Sequence, residues 1–182
     1  KFFKNTELQN MNIISLPILN KKYNKSLLNY LNTNDTLLLC DSSKFIYFQE
    51  LENNMFLVAC GLTIEKANQV YLYSISPFLI LRNLEIIRNY VSTEKRNIRM
   101  IGVGSGVSYS TMGKTHFNLD DLNTIYSLKN ILILNPANID ELDFIFKKFK
   151  DYNLPIYFRI NKNSYKKNFK FKKIGNFFIK PG

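Results

Sequence analysis

The residues most suggestive of chemistry lie in IGVGSGVSYSTMGKTHFNLDDL, Ile101 to Leu122, where an apolar run breaks into glycines and ends in Gly-Lys-Thr-His. Gly113-Lys114-Thr115 is the tail of a Walker loop, whose backbone N–H groups cradle phosphates while its lysine neutralises them. The spacing excludes that loop. A Walker loop has glycine five positions before the glycine of Gly-Lys-Thr, where the chain turns tightly against phosphate. That position is Ser108, and Gly106 comes two residues too early. The later apolar run ILILNP ends in Asn135, where a magnesium-holding carboxylate would be needed. A dinucleotide fingerprint fails too, because Gly102, Gly104 and Gly106 are followed by Val107 where a third spaced glycine belongs. Two other groups stand out. Glu52 heads the apolar stretch ENNMFLVACGL, and taken alone it is a carboxylate at the positive end of a helix dipole. His116 is the single histidine of the chain.

The elements that must position these residues alternate. Asn24–Asp35 puts Leu27, Leu28 and Leu31 on one helical face. TLLLCD, Thr36 to Asp41, is an apolar run with the look of a strand buried on both faces, and KFIYFQE is a possible short strand. From Glu52 onward Met55, Val58, Ala59 and Leu62 recur at helical spacing, which predicts a buried helix with Gly61 near its end. QVYLYSI predicts a strand, the stretch from Phe78 to Ser92 a helix, and NIRMIGVG a strand. LDDLNTIYSL is then helical, NILILNP a strand closed by Pro136, NIDELDFIFKKFKDY an amphipathic helix, and PIYFRI a final strand. This predicts an α/β fold of three layers, a mainly parallel sheet with helices on both faces. Ligands of such sheets bind at the carboxyl ends of the strands. Three loops qualify: the one leading into Glu52, the one from Ser74 to Phe78, and the one from Gly104 to His116.

These loops, in their order, give the chain a resemblance to the transketolase family. QELENNMFLVACGL aligns Glu52, Asn54, Met55, Ala59, Gly61 and Leu62 with that family's Glu-containing helix start. YSISPFLILRNLEIIRN matches its strand end, aromatic residue and Leu-Arg…Glu-x-Ile-Arg-Asn pattern, with Phe78, Arg82, Glu85, Arg88 and Asn89 fitting. The glycine-rich loop resembles one ending in Gly-Pro-Thr-His, and LKNILILNPANIDEL resembles the Pro-Ala-Asp strand and helix that follow. From about Thr36 to Ile160 the chain is thus similar to the pyrimidine-binding domain of thiamine diphosphate enzymes, with the thiamine diphosphate-binding fold.

The resemblance implies roles. Glu52 is the carboxyl group held against the cofactor's pyrimidine nitrogen, and it must be shielded from water to share a proton there. Phe78 packs against that ring, with Arg82 beside it as a further cofactor-binding residue; an ordinary core Phe is the alternative. His116 faces the reacting substrate, able to donate to an oxyanion or move a proton. Arg159 contacts a substrate phosphate, or else forms a surface ion pair. The cofactor's diphosphate and its Mg2+ belong to another domain or subunit, through a Gly-Asp-Gly motif that is absent from this sequence. The expected activity is transfer of a two-carbon ketol unit between sugars, with a sugar phosphate as substrate, in a homo- or hetero-oligomer. An apolar face around Phe78 and Met55 would then be open to association. Lys114 replaces the proline of Gly-Pro-Thr-His, Phe117 stands where relatives carry a second His, and the segment from Asp41 to Phe45 is short. A catalytically degenerate domain kept for subunit assembly is therefore the alternative.

The composition sets outer limits. A chain of 182 residues, 46% of them hydrophobic, can bury one core. Residues 1–160 are expected to form the pyrimidine-binding domain, with 1–20 an irregular lead-in and 161–182 a basic hairpin or linker toward a following domain. Lys1 in place of an initiator Met, and an ending at IKPG, suggest a piece of a longer polypeptide. The net charge of +11 is spread along the chain and concentrates only in NKNSYKKNFKFKK, Asn161 to Lys173. A solvated hairpin accounts for that segment, and nucleic acid is not expected as a partner. Cys40 and Cys60 sit in separate apolar runs and read as reduced thiols of a cytoplasmic protein. No run reaches the eighteen or so apolar residues of a membrane span.

Overall fold

The computed structural model describes residues 12–13, 36–39, 51–64, 69–161, 172–174 and 177–179. The predicted helix at Asn24–Asp35, the strand at KFIYFQE, the Asp41–Phe45 segment and most of the basic Asn161–Lys173 segment lie outside the described residues. Among those described, six strands pair in parallel: β1 (Asn12–Ile13), β2 (Thr36–Leu39), β3 (Val70–Ile75), β4 (Ile98–Val103), β5 (Leu132–Leu134) and β6 (Ile156–Ile160). Their order across the sheet is β1-β2-β3-β4-β6-β5. β7 (Lys172–Ile174) and β8 (Phe177–Ile179) pair separately and antiparallel.

The strand order explains the layers. From β1 to β5 each connection moves the same way along the sheet, and only the step from β5 to β6 turns back. Right-handed crossovers therefore place the last helix on the face opposite the others. On one face α1 (Leu51–Leu62), the helical stretch from Ser76 to Ser92 and α4 (Asp121–Tyr126) cover Val70, Leu72, Ile98, Met100 and Tyr157 with Phe56, Ala59, Leu79, Ile80, Ile87 and Ile125. On the other, α5 (Ile139–Phe149) sets Leu142 and Phe146 against Tyr71, Tyr73, Ile101, Ile156 and Phe158. Residues alternate between the two cores along β3, β4, β5 and β6, as the pleat requires. Asn138 caps α5 by accepting from the Glu141 backbone N–H at 2.9 Å.

Three expectations need correction. Residues 1–20, expected to be an irregular lead-in, contain a strand: Asn12–Ile13 forms β1 and pairs with Thr36 and Leu37 of β2. The buried face of α1 is Glu52, Met55, Phe56 and Ala59, continued by Thr63 just past its end, while Val58 and Leu62 are exposed. Val58 stands about 120° around the helix from the centre of that face. The second long helix begins at Ser76 rather than Phe78, with Pro77 in its first turn, where a missing N–H costs nothing. It is not uniform: α2 (Ser76–Ile80) passes through a 3-10 turn (Leu81–Asn83) into α3 (Leu84–Ile86) and then a π-helical turn (Ile87–Ser92). The buried Asn83 amide donates to the carbonyls of Phe78 and Leu79 at 2.9 and 3.0 Å, which anchors the backbone that carries Phe78.

Candidate functional site

Because the strands are parallel, the carboxyl ends of β2, β3, β4 and β6 all lie at one end of the sheet. Glu52 lies in the first turn of α1 and is 2% exposed. Its Oε2 accepts from Arg82 Nη1 at 3.3 Å, and the Arg82 guanidinium carbon lies 4.2 Å from the centre of the Phe78 ring. The far edge of this group is His116, whose ring meets Phe78 edge to face with centroids 5.1 Å apart. Glu52, Arg82, Phe78 and His116, drawn from three elements, thus form one continuous line of contacts. Thr115 Oγ1 lies 2.9 Å from His116 Nδ1 and orients the ring.

Arg159 belongs to a second group beneath the glycine-rich loop. It is an ion-pair residue, as one of its sequence readings held, but the pair is buried rather than on the surface. Arg159 Nε donates to Asp121 Oδ2 at 2.8 Å, and the side chains are 12% and 0% exposed. The same oxygen accepts from the Tyr157 hydroxyl at 2.7 Å. Ser76 Oγ lies 2.7 Å from Tyr157 Oη and 3.3 Å from Asp121 Oδ2, with one proton to give to either. Asn118 Nδ2 donates to Ser76 at 3.1 Å, while its Oδ1 accepts from the backbone of Asp120 and Asp121. Burial, and then the Asp121 carboxylate, push the Tyr157 phenol well above its usual 10.0, so it stays a donor.

Two glycines make this packing possible. A Cβ on Gly102 would come within 2.9 Å of the Tyr157 ring and 3.2 Å of Ser76 Cβ. At Gly104, with φ +69°, it would meet the Tyr109 ring at 1.8 Å. Gly106 and Asn118 then exchange backbone hydrogen bonds at 2.9 and 3.0 Å, pinning the loop between them.

Sequence reasoning missed Asp121, Tyr157, Ser76 and Asn118. Asp121 is legible from sequence only as part of the helical stretch LDDLNTIYSL, and nothing in its spacing ties it to Arg159. The expected apolar face around Phe78 and Met55 is also corrected, since both are buried within the chain. The exposed apolar residues nearby are instead Leu57, Val58 and Leu62 of α1 and Leu81 and Leu84 after α2.

Residues 30–167, a span that holds all five predicted site residues, match the family described as transketolase, pyrimidine binding domain. The chain belongs to that family. Two relatives are each named as one subunit of an apulose-4-phosphate transketolase: that from Phocaeicola vulgatus is 23% identical over 66% of this chain and 38% of its own length, and that from Actinobacillus succinogenes is 29% identical over 58% and 34%. A putative transketolase C-terminal section from Methanocaldococcus jannaschii is 27% identical over 60% of this chain and 34% of its own length. This transketolase-family chain therefore spans little more than a third of the curated relatives it matches. A solved structure titled split gene transketolase, inactive beta4 tetramer, superposes with a TM-score of 0.65 at 24% identity, covering 82% of this chain and 53% of that one. Transketolase from Campylobacter jejuni superposes with a TM-score of 0.56 at 16% identity, over 62% of this chain and 17% of that one. Both share the fold.

The transketolase family depends in general on thiamine diphosphate, and the residues present fit its pyrimidine end. A carboxylate removed from water beside a buried aromatic ring supplies the two contacts a flat ring with a protonatable nitrogen requires. Among the described residues no group of three or more His, Cys, Asp or Glu converges to hold a metal ion. No helix among them is long and apolar enough to cross a membrane.

Proposed function

We propose that this chain is the pyrimidine-binding half of a transketolase-type enzyme, acting with a separate diphosphate-binding domain or subunit that holds the Mg2+. The observation that carries the reading is the buried carboxyl of Glu52, 2% exposed at the head of α1 and joined through Arg82 to the Phe78 ring. When bound, thiamine diphosphate supplies a thiazolium carbon that can be deprotonated and add to a carbonyl. Glu52 holds a proton at the pyrimidine nitrogen, and burial makes that interaction stronger than it would be in water. Phe78 supports the ring from below. His116, in contact with Phe78, faces the reacting end and donates to, or moves a proton from, a sugar oxygen. Arg159, anchored by Asp121 through Nε, presents the rest of its fork toward a substrate phosphate. The proposed reaction is transfer of a two-carbon ketol unit between sugars, one of them a phosphate ester. Two relatives are named as single subunits, which supports a divided enzyme, and the exposed Leu57, Leu62, Leu81 and Leu84 support burial against a partner.

A catalytically degenerate domain kept for assembly is the second reading, and Lys114 and Phe117 in the glycine-rich loop favour it. The two readings separate on Glu52→Gln in the enzyme reconstituted with its diphosphate-binding partner. Gln keeps the volume but cannot share the proton, so exchange of the thiazolium proton with deuterium should slow about a hundredfold to ten-thousandfold. Exchange as fast as in the parent would remove Glu52 from that role and leave assembly as the better reading.

A further inference from the structure

Resting on the reading of this site as a pyrimidine site, the contacts of Arg82 carry a further inference about how the site is occupied. A protonated aminopyrimidine and a guanidinium share a shape and a chemistry: both are flat, both carry N–H donors in the plane, and both stack on aromatic rings. Arg82 makes the two contacts that the pyrimidine would need. Its guanidinium carbon lies 4.2 Å from the Phe78 ring centre, and its Nη1 donates to Glu52 Oε2 at 3.3 Å.

The two contacts leave no room for a second flat group. Phe78 is 7% exposed, with Arg82 over its face and His116 against its edge, and Glu52 is 2% exposed. For another ring to stack on Phe78 and reach Glu52, one of the present neighbours must leave. Phe78 is held by its own helix, where Asn83 grips the carbonyl of residue 78, and Glu52 is built into α1. Arg82 is different. Its side chain is 38% exposed, it rides on the short 3-10 turn Leu81–Asn83, and a long flexible cation at a rim can keep its head in water.

We propose that Arg82 is a displaceable placeholder for the pyrimidine. In the inward conformation its guanidinium occupies the stacking surface of Phe78 and neutralises Glu52, and the site accepts a pyrimidine only when Arg82 turns outward. The inward conformation keeps a buried carboxylate paired and an aromatic face covered. It also means that pyrimidine binding is a competition, weakened by whatever stability the inward Arg82 contributes. Leu81 and Leu84, exposed on either side of Arg82, place this switch next to the surface on which a partner would dock.

The probe is free thiamine, which carries the pyrimidine without the diphosphate, titrated by ligand-observed NMR into the chain reconstituted with its diphosphate-binding partner. Arg82→Met removes the stacked cation but keeps the aliphatic stem, and it is expected to bind thiamine about tenfold more tightly than the parent, the combined effect of one cation–π contact and one partly exposed ion pair. Arg82→Lys keeps the charge without the flat fork and should fall between the two; it also serves if the Met variant does not fold. Adding Glu52→Gln to Arg82→Met should cancel the gain. If the parent binds thiamine and both Arg82 variants bind it equally or more weakly, Arg82 is a ligand rather than a placeholder and the proposal is overturned. If no variant binds thiamine at millimolar concentration, the pyrimidine-site reading itself fails, and the placeholder with it.

Discussion

Replacing Asp121 by Asn tests whether the buried group under the glycine-rich loop is held together by charge. Asn keeps the size of the side chain and can still accept from the Tyr157 hydroxyl, but it leaves Arg159 without its counter-charge. Arg159 is 12% exposed and Asp121 0%, so water screens the pair little and its loss resembles the breaking of a buried ion pair. Such losses run to about 3 to 5 kcal/mol, because the surviving charge stays buried and uncompensated. For a chain of this size that corresponds to about 6 to 20 °C in melting temperature. The double variant Asp121→Asn, Arg159→Met removes both charges and should recover much of the loss, since a buried pair often exchanges for apolar groups at little net cost. Urea titrations of the parent, the two single variants and the double variant close the cycle, with a coupling energy of about 2 kcal/mol or more expected. A loss below about 1 kcal/mol for Asp121→Asn, in the range of an exposed pair, would refute the argument that burial makes this pair matter. So would a double variant destabilised by the sum of the singles.

Two further outcomes are expected of the chain by itself. Desolvation pushes the Cys60 thiol from 9.0 to about 11, so the folded state holds that proton more tightly than the unfolded one. Stability from this group is complete below pH 9.0 and falls as pH rises toward about 11; Cys60→Ala should flatten that part of a pH–stability profile, and the parent thiol should react slowly with alkylating reagents at pH 8. Gly104→Ala places a Cβ against the Tyr109 ring at a φ of +69°, and should cost about 1 to 3 kcal/mol in a urea titration while shifting the His116 ring resonances as the loop is forced outward. A Gly104→Ala variant with parent stability and unchanged His116 signals would show that the loop does not depend on that close approach.

Much of the architecture was legible because burial leaves a periodic trace. Continuous apolar runs marked β2 to β6, while the two-residue β1 left no such trace and fell in the stretch read as irregular; the alternation of strands with helices implied the layers and the side of the sheet on which a ligand would sit. Glu52 could be placed at a helix head, Phe78 at the end of one loop with Arg82 in the helix that follows it, and His116 at the end of another loop, because the alternation of elements brings those loops to one side. Periodicity within a segment does not reveal which neighbours it will meet. Met55, Val58, Ala59 and Leu62 looked like one apolar stripe, yet α1 turns Val58 and Leu62 to solvent, because the contacts that decide its rotation come from β3 and the helical stretch after it. The Glu52–Arg82 contact joins residues 30 apart, and the Ser76–Tyr157 contact joins residues 81 apart. The first depends on β2 and β3 lying side by side, and the second on β6 lying between β4 and β5, where Arg159 pairs with Gly102 in register and reaches Asp121. Residue types and local spacing determined which elements form and where chemistry could lie. The packing of distant segments decided which charges face each other, because a buried carboxylate takes its partner from whatever the sheet brings beside it.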